Sequence, residues 1–251
     1  VWPTIVDGSP GTSATVRLNL WQIPAPLARR PNAAYFSTEA GAPERHSALR
    51  RAPVKVKAVM NRYDVIVLGT GGMGSAAAFH LARHGARVLG FDRFPGAHDR
   101  GSSHGETRII RKAYFEHSAY VPLLQRAYDL WADLEKRRGE QLYHQVGLLE
   151  VGPPDGVVVP GVRASAAEHG LPLTELTPSA MAAQYPGFTL PSGNHAVFEQ
   201  QAGFLMVERC VQAHLDEAVK CGAELRTGET ILSWSASAKG VQVTTNQQTY
   251  E

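Results

Sequence analysis

The sequence predicts an α/β fold that opens on a parallel sheet, and three observations carry the prediction. Residues 62–92 run through an apolar strand, a glycine turn, an alanine-rich helix and a second apolar strand. An amphipathic stretch over 206–221 is stopped by Gly222 and followed by a further parallel-strand candidate at 224–226. Two alternating runs, 230–235 and 241–245, then read as hairpin strands.

The first unit carries the most chemistry. Residues 63–68 have the β-branched content of a strand buried on both faces. Gly69, Gly71 and Gly74 then stand in GxGxxG spacing. Gly69 turns the chain out of the strand, Gly71 removes a Cβ where backbone must meet a pyrophosphate, and Gly74 lets the helix lie close to the sheet. Met73 lies within this turn, at a helix start whose free amides and dipole favour phosphate. Asp92 closes the second strand, placed to accept hydrogen bonds from a ribose diol. A glycine turn alone is a weak signal and reads equally as a tight turn without a ligand. Strand, helix and acid together make it a dinucleotide-binding start. Asp92 repels a 2′-phosphate, although Arg93 beside it offsets part of that, so FAD or NAD is favoured over NADP.

A chain of 251 residues can bury a substantial core. Residues 1–59 hold eight Lys/Arg against three Asp/Glu, and residues 60–251 hold seventeen against twenty. The remainder has no basic block with interleaved aromatics, and no apolar run long enough for a bilayer, so neither nucleic acid nor a membrane is an expected partner. Cys210 and Cys221 lie eleven residues apart on one predicted helix, roughly 16 Å at ~1.5 Å per residue, too far to pair. They read as small buried side chains in a reducing, cytoplasmic setting. His80 and His84 stand at i and i+4 but lack a third ligand, so a helix-surface pair is expected and no metal.

Residues 1–59 contain seven of the sixteen prolines and little periodicity. They are expected to be a leader outside any domain, either upstream sequence before a start at Met60 or a transit peptide. Residues 94–107 read as a functional loop. Over 120–138, Val121, Leu124, Tyr128 and Trp131, widened by Leu123, Leu130 and Leu134, form a helical stripe with Pro122 in the first turn. A strand is expected over 145–151, ended by Pro153 and Pro154, then short helices over 162–169 and 178–184. The late helix carries Val207, Cys210, Val211, Leu215 and Ala218 on one side. A third hairpin strand begins at 249, where the expectation is of an incomplete C-terminal part.

The loop Gly101, Ser102, Ser103, His104, Gly105, Glu106, Thr107, Arg108, Ile109, Ile110, Arg111, Lys112, Ala113, Tyr114, followed by Tyr120 to Leu123, resembles that of the monomeric sarcosine oxidase and N-methyl-tryptophan oxidase family. It stands at the family's distance behind the glycine turn, and Gly203 to Leu205 with the later hairpin extend the resemblance over 62–251. Ser103 and Glu106 depart from it, since the family has histidine and aspartate there. The resemblance implies an FAD-binding Rossmann-like domain of the glutathione reductase type, joined to an α+β substrate domain and truncated at its C-terminus. Residues 60–150 would hold the dinucleotide start and flavin loop, 151–205 part of the substrate domain, and 206–251 the incomplete return to the FAD domain.

It further implies a monomeric oxidase that converts a secondary amino acid to an imine on FAD and reduces oxygen to hydrogen peroxide. Arg111 would clamp the substrate carboxylate with its planar fork. Arg108 would place positive charge beside the flavin. His104 and Tyr114 would contact the substrate, and Ser102 and Thr107 the cofactor. Without the motif, Arg108 and Arg111 read as a solvated basic edge. The family's flavin-linking cysteine and oxygen-assisting lysine belong to its later portion, and neither Cys210 nor Cys221 matches the linking position. Rival readings are an FAD-dependent D-amino-acid or glycine dehydrogenase, an NAD-dependent dehydrogenase, and a non-catalytic fragment that keeps the fold.

Overall fold

The structure, a computed structural model, describes residues 62–251. The expectations for residues 1–59 and for a start at Met60 lie outside the described residues.

The opening unit consists of β1 (Val65–Leu68), α1 (Gly72–Arg83) and β2 (Val88–Asp92). The strands pair in parallel, Val65 opposite Val88 and Leu68 opposite Phe91. Their side chains alternate between two cores. Val67 and Val88 join Ala78, Phe79 and Ala82 of α1 on one face, while Ile66, Leu68, Leu89 and Phe91 belong to the opposite face. That two-sided burial is why the strands read as continuous apolar runs rather than alternating ones.

β3 (Thr107–Ile110) follows the long loop, and a 3₁₀ turn at Ser118–Tyr120 leads into α2 (Val121–Arg138). α2 ends at Gly139, whose φ of 63° is the left-handed conformation that a helix stop requires. Its inward stripe is narrower than the sequence suggests. Val121 and Leu134 are buried and Tyr128 and Trp131 pack partly, but Leu123 is exposed.

The single strand expected over 145–151 is displaced: β4 (Tyr143–His144) is short and β5 (Leu148–Gly152) starts later. Gly147 has φ 76°, outside the extended region, and interrupts the run. α3 (Val158–His169) begins four residues ahead of expectation, with Pro160 still inside its first turn. β6 (Thr174–Leu176) precedes α4 (Pro178–Gln184), which Thr177 caps by accepting from the Ala180 amide at 3.1 Å. Then come β7 (His195–Glu199), β8 (Gly203–Met206) and α5 (Val207–Lys220), whose predicted stripe is buried throughout. β9 (Glu224–Thr227), β10 (Ile231–Ser237), β11 (Gly240–Thr245) and β12 (Thr249–Tyr250) complete the described residues.

The strands form four three-stranded sheets among the described residues. β9 adds to β2 in parallel, as its sequence predicted. α1 packs against α5 on one side of this sheet. The β10–β11–β12 meander covers the other, where Tyr250 and Val243 meet Leu89 and Phe91. β3, β8 and β4 pair antiparallel, as do β5, β7 and β6. The last of these sheets has α3 against one face and α4 against the other. Strands β3, β6, β7 and β8 were not anticipated from the sequence. The arrangement carries the loop after β2 back over the N-terminus of α1 and then into β3.

Candidate functional site

Backbone geometry within the glycine turn explains two of its glycines, Gly74 and Gly69. A Cβ on Gly74 would lie 1.8 Å from the Gly69 carbonyl oxygen, so only glycine permits this approach of helix to strand. Gly69 itself has φ +90°. Gly71 is the N-cap of α1 without a side-chain cap, and the first helical bond is Ser75 N to Gly71 O at 2.9 Å. The amides before it, at Met73 and Gly74, therefore have no partner within the helix. The Gly72 amide donates to Ser103 Oγ at 3.0 Å, which brings the distant loop down onto the turn. Thr70, Gly71, His98, Gly101, Ser102 and Ser103 line a small cavity there.

Asp92 faces this turn with its carboxylate already engaged. Oδ2 accepts from the Thr70 amide at 2.9 Å and the Thr70 hydroxyl at 3.3 Å, and Oδ1 from the Phe94 amide at 3.1 Å, with His98 Nε2 at 3.2 Å. A ribose diol would have to share or displace these partners. His98 was not singled out in the sequence, and nothing local marks it.

The loop that follows is shaped by a carboxylate from α5. Glu208 accepts from the Gly105 amide at 2.6 Å and from the Glu106 amide at 3.2 and 3.1 Å. Burial raises its pKa, but these amides and the charge of nearby His104 outweigh that and hold it low. Glu106 is thereby fixed at φ 66°, a left-handed conformation that Glu adopts less readily than Asp or Asn. Arg108 leaves β3 and folds back on the loop, donating to Thr107 O at 2.8 Å and Ser102 O at 2.7 Å. The structure thus sets Ser102 beside the glycine turn and ties Arg108 to the Ser102 and Thr107 carbonyls, with His104 half-buried and its charge acting on Glu208.

Arg111 follows the end of β3. Its guanidinium lies over the rings of Tyr114 (4.4 Å) and Phe115 (4.8 Å). Nη2 donates to both oxygens of Glu116 at 3.2 and 3.1 Å, and Nε lies 3.9 Å from Glu150 Oε1. The bend after Arg111 is held by Glu199 of β7, only 1% exposed, which accepts from the Lys112 amide at 2.7 Å and the Ala113 amide at 3.1 Å. Glu116, Glu150, Glu199 and Glu208 all escaped the sequence reading. Glu150 left the one usable signal, a carboxylate at an inward position of an apolar strand.

Among the described residues no group of three or more His, Cys, Asp or Glu could hold a metal ion, and His84 Nδ1 instead lies 2.6 Å from the His80 carbonyl. Both cysteines are free. No described helix is long and apolar enough to cross a membrane.

A glycine elbow at an uncapped helix N-terminus, with the Ser103 hydroxyl set on it, is an arrangement of the kind that receives the diphosphate of a dinucleotide cofactor. Residues 64–251 match the FAD dependent oxidoreductase family, and the chain belongs to it, with FAD as cofactor. It is 44% identical over 188 residues to the monomeric sarcosine oxidase of Streptomyces avermitilis, covering 75% of this chain and 49% of that protein. It is 36% identical to the N-methyl-L-tryptophan oxidase of Yersinia pestis, covering 75% and 51%. Among solved structures it is similar to NikD, an unusual amino acid oxidase essential for nikkomycin biosynthesis, with a TM-score of 0.68, 29% identity and coverage of 75% and 49%. Glycine oxidase from Geobacillus kaustophilus shares the fold, with a TM-score of 0.64, 21% identity and coverage of 75% and 53%. The resemblance drawn from the loop is borne out, and the chain spans about half the length of the relatives it matches.

Proposed function

We propose that the protein oxidises sarcosine or a related N-methyl amino acid to an imine, with oxygen reduced to hydrogen peroxide, acting as a monomer. The observation that carries this reading is Arg111: a guanidinium seated on two aromatic rings at the end of the strand that starts at the flavin loop. When bound, FAD supplies the two-electron acceptor.

The chain's own residues supply position and field. Gly69, Gly71, Met73 and Gly74 admit the diphosphate to the helix N-terminus. Ser102 and Thr107 offer hydroxyls beside it, and Asp92 fixes the turn that faces the ribose. Arg108, tied to two carbonyls of the loop, keeps a fixed positive charge where the ring system gains negative charge. Arg111 takes the substrate carboxylate bidentately, which orients the N-methyl group toward the cofactor. Tyr114 limits how far the guanidinium can swing, and His104 is a polar group able to hold the substrate amine in its neutral, oxidisable form. The names of the sarcosine and N-methyl-L-tryptophan oxidases support the substrate class.

The test is oxygen uptake with peroxide release by the FAD-loaded enzyme on sarcosine, N-methyl-L-tryptophan, glycine and D-alanine. Turnover confined to the first two supports the reading. Turnover only of glycine or D-alanine, or only with a quinone acceptor, contradicts it.

A further inference from the structure

We propose that Glu150 is a positioning residue for Arg111: its carboxyl group holds the Nε edge of the guanidinium and, when ionised, draws the guanidinium away from a bound carboxylate, so that a proton on Glu150 releases the fork. The proposal rests on the reading of Arg111 as the substrate clamp.

The hydrogens of Nε and one of those on Nη2 point to the same side of a guanidinium. In this structure both positions of that side face internal carboxylates. Glu116 takes Nη2, and Glu150 stands across from Nε. The opposite fork, Nη1 with the second Nη2 hydrogen, makes no hydrogen bond among the described residues, and the clamp reading assigns that edge to the incoming carboxylate.

The Nε side is unfinished. At 3.9 Å the Glu150 contact is an ion pair and too long for a hydrogen bond. Arg111 Nε and Glu150 Oε2 are both buried without a hydrogen-bond partner. Buried polar atoms without partners are rare in folded proteins, and one on each member of this ion pair marks a contact that is poised rather than settled.

The charges around this contact point the same way. Glu116, from the segment after β3, and Glu150, from β5, both face the guanidinium, while Glu199 on the paired strand β7 adds a third carboxyl group whose charge acts on Glu150. α3 packs on this face through Val159 and Val162 and brings no ionisable group among those acting on Glu150. Lys112, beside Arg111 in sequence, donates its ammonium to Gln201 at 2.7 Å. Burial is the largest influence on Glu150 and outweighs the attraction of Arg111, while Glu199 and Glu116 add to it. Together they push its pKa up to about 7. The carboxyl group therefore changes charge within the neutral range. Above that pH an incoming carboxylate competes with one more anion than below it.

The experiment uses Glu150→Gln and Glu150→Val in the FAD-loaded enzyme, titrated with acetate from about pH 6 to about pH 8, with binding read from the flavin absorbance. kcat and KM for sarcosine are measured alongside. Gln keeps the shape and removes the charge. Val removes the unsatisfied oxygens as well, so a folding failure of one variant leaves the other informative. The wild type is expected to lose acetate affinity about five-fold as pH rises through about 7, an electrostatic coupling of ordinary size. Both variants are expected to show no such step, to bind acetate more tightly than wild type at the alkaline end, and to lower KM with kcat changed less than about two-fold. A wild-type pH step retained in the variants, or no gain in alkaline affinity, overturns the proposal. Arg111→Ala serves as the control: undiminished acetate binding in that variant rejects the clamp itself, whereas lost binding there with unchanged Glu150 variants rejects only the role of Glu150.

Discussion

Two alanine substitutions three residues apart in the same turn separate folding from cofactor binding. In Gly74→Ala the new Cβ would sit 1.8 Å from the Gly69 carbonyl, so α1 and β1 must part by about 1.2 Å to reach the 3.0 Å below which real contacts essentially never fall. A shift of that size breaks the packing of Ala78 and Phe79 against Val67 and costs about 3 kcal/mol or more. Gly71 is different. Its φ of −70° suits alanine, and the nearest atom to the new Cβ, Ser103 Oγ, lies at an ordinary 3.8 Å. Gly71→Ala should therefore change stability by no more than about 0.5 kcal/mol. It should still weaken FAD binding by about 30-fold, roughly 2 kcal/mol, because the methyl group occupies the approach of the diphosphate. Thermal unfolding without FAD, and titration by flavin fluorescence quenching, read the two effects independently. A Gly71→Ala protein that binds FAD as tightly as wild type refutes the phosphate-approach argument, and a Gly74→Ala protein of wild-type stability refutes the packing argument.

Three further predictions follow from single residues. Arg111→Lys should raise KM for the amino acid by at least about ten-fold with a smaller change in kcat, since a point charge cannot reproduce a bidentate fork; steady-state kinetics showing an unchanged KM rejects the clamp. His214, 5% exposed among Phe79, Trp131 and His80, is pushed down by burial and by His80 from 6.5 to about 4. The unfolded chain then takes up a proton that the folded one refuses, so stability is full above about pH 6.5 and falls by about 3 kcal/mol as pH drops to about 4. Denaturant unfolding at several pH values should show this loss shrinking in His214→Phe, and an equal loss in both proteins contradicts it. Glu106→Asn should stabilise the protein by about 0.5–1 kcal/mol by easing the residue at φ 66°, and a drop in melting temperature counts against that strain.

The parts of the fold visible in the sequence are those with a local cause. β1, α1 and β2 follow from β-branched runs and glycines whose spacing has one structural use, and α5 from a stripe that recurs at helical intervals. β3 escaped because three of its four residues are exposed and its partner, β8, lies far along the chain. The strand expected over 145–151 shifted because the left-handed backbone at Gly147 outweighs the apolar content around it. The site divides in the same way. The loop motif singles out Arg108 and Arg111 as candidates, but the carboxylates that shape their surroundings carry no such signal. Glu199 lies 87 positions from Lys112 and Glu208 lies 103 from Gly105, and contacts at such separations have no periodic trace. Asp92 ends β2 as the sequence expects, and its hydrogen bonds to Thr70 and Phe94 hold the turn together, a role the sequence does not reveal.

Anaerobic mixing of the FAD-loaded enzyme with sarcosine tests the central claim, that the glycine turn and Arg111 are the two ends of one site. The flavin absorbance is predicted to bleach in the wild type, and to bleach in Arg111→Lys only at much higher sarcosine concentration. A bound flavin that stays oxidised at saturating sarcosine and N-methyl-L-tryptophan, or bleaching equally sensitive to sarcosine in both proteins, would contradict it.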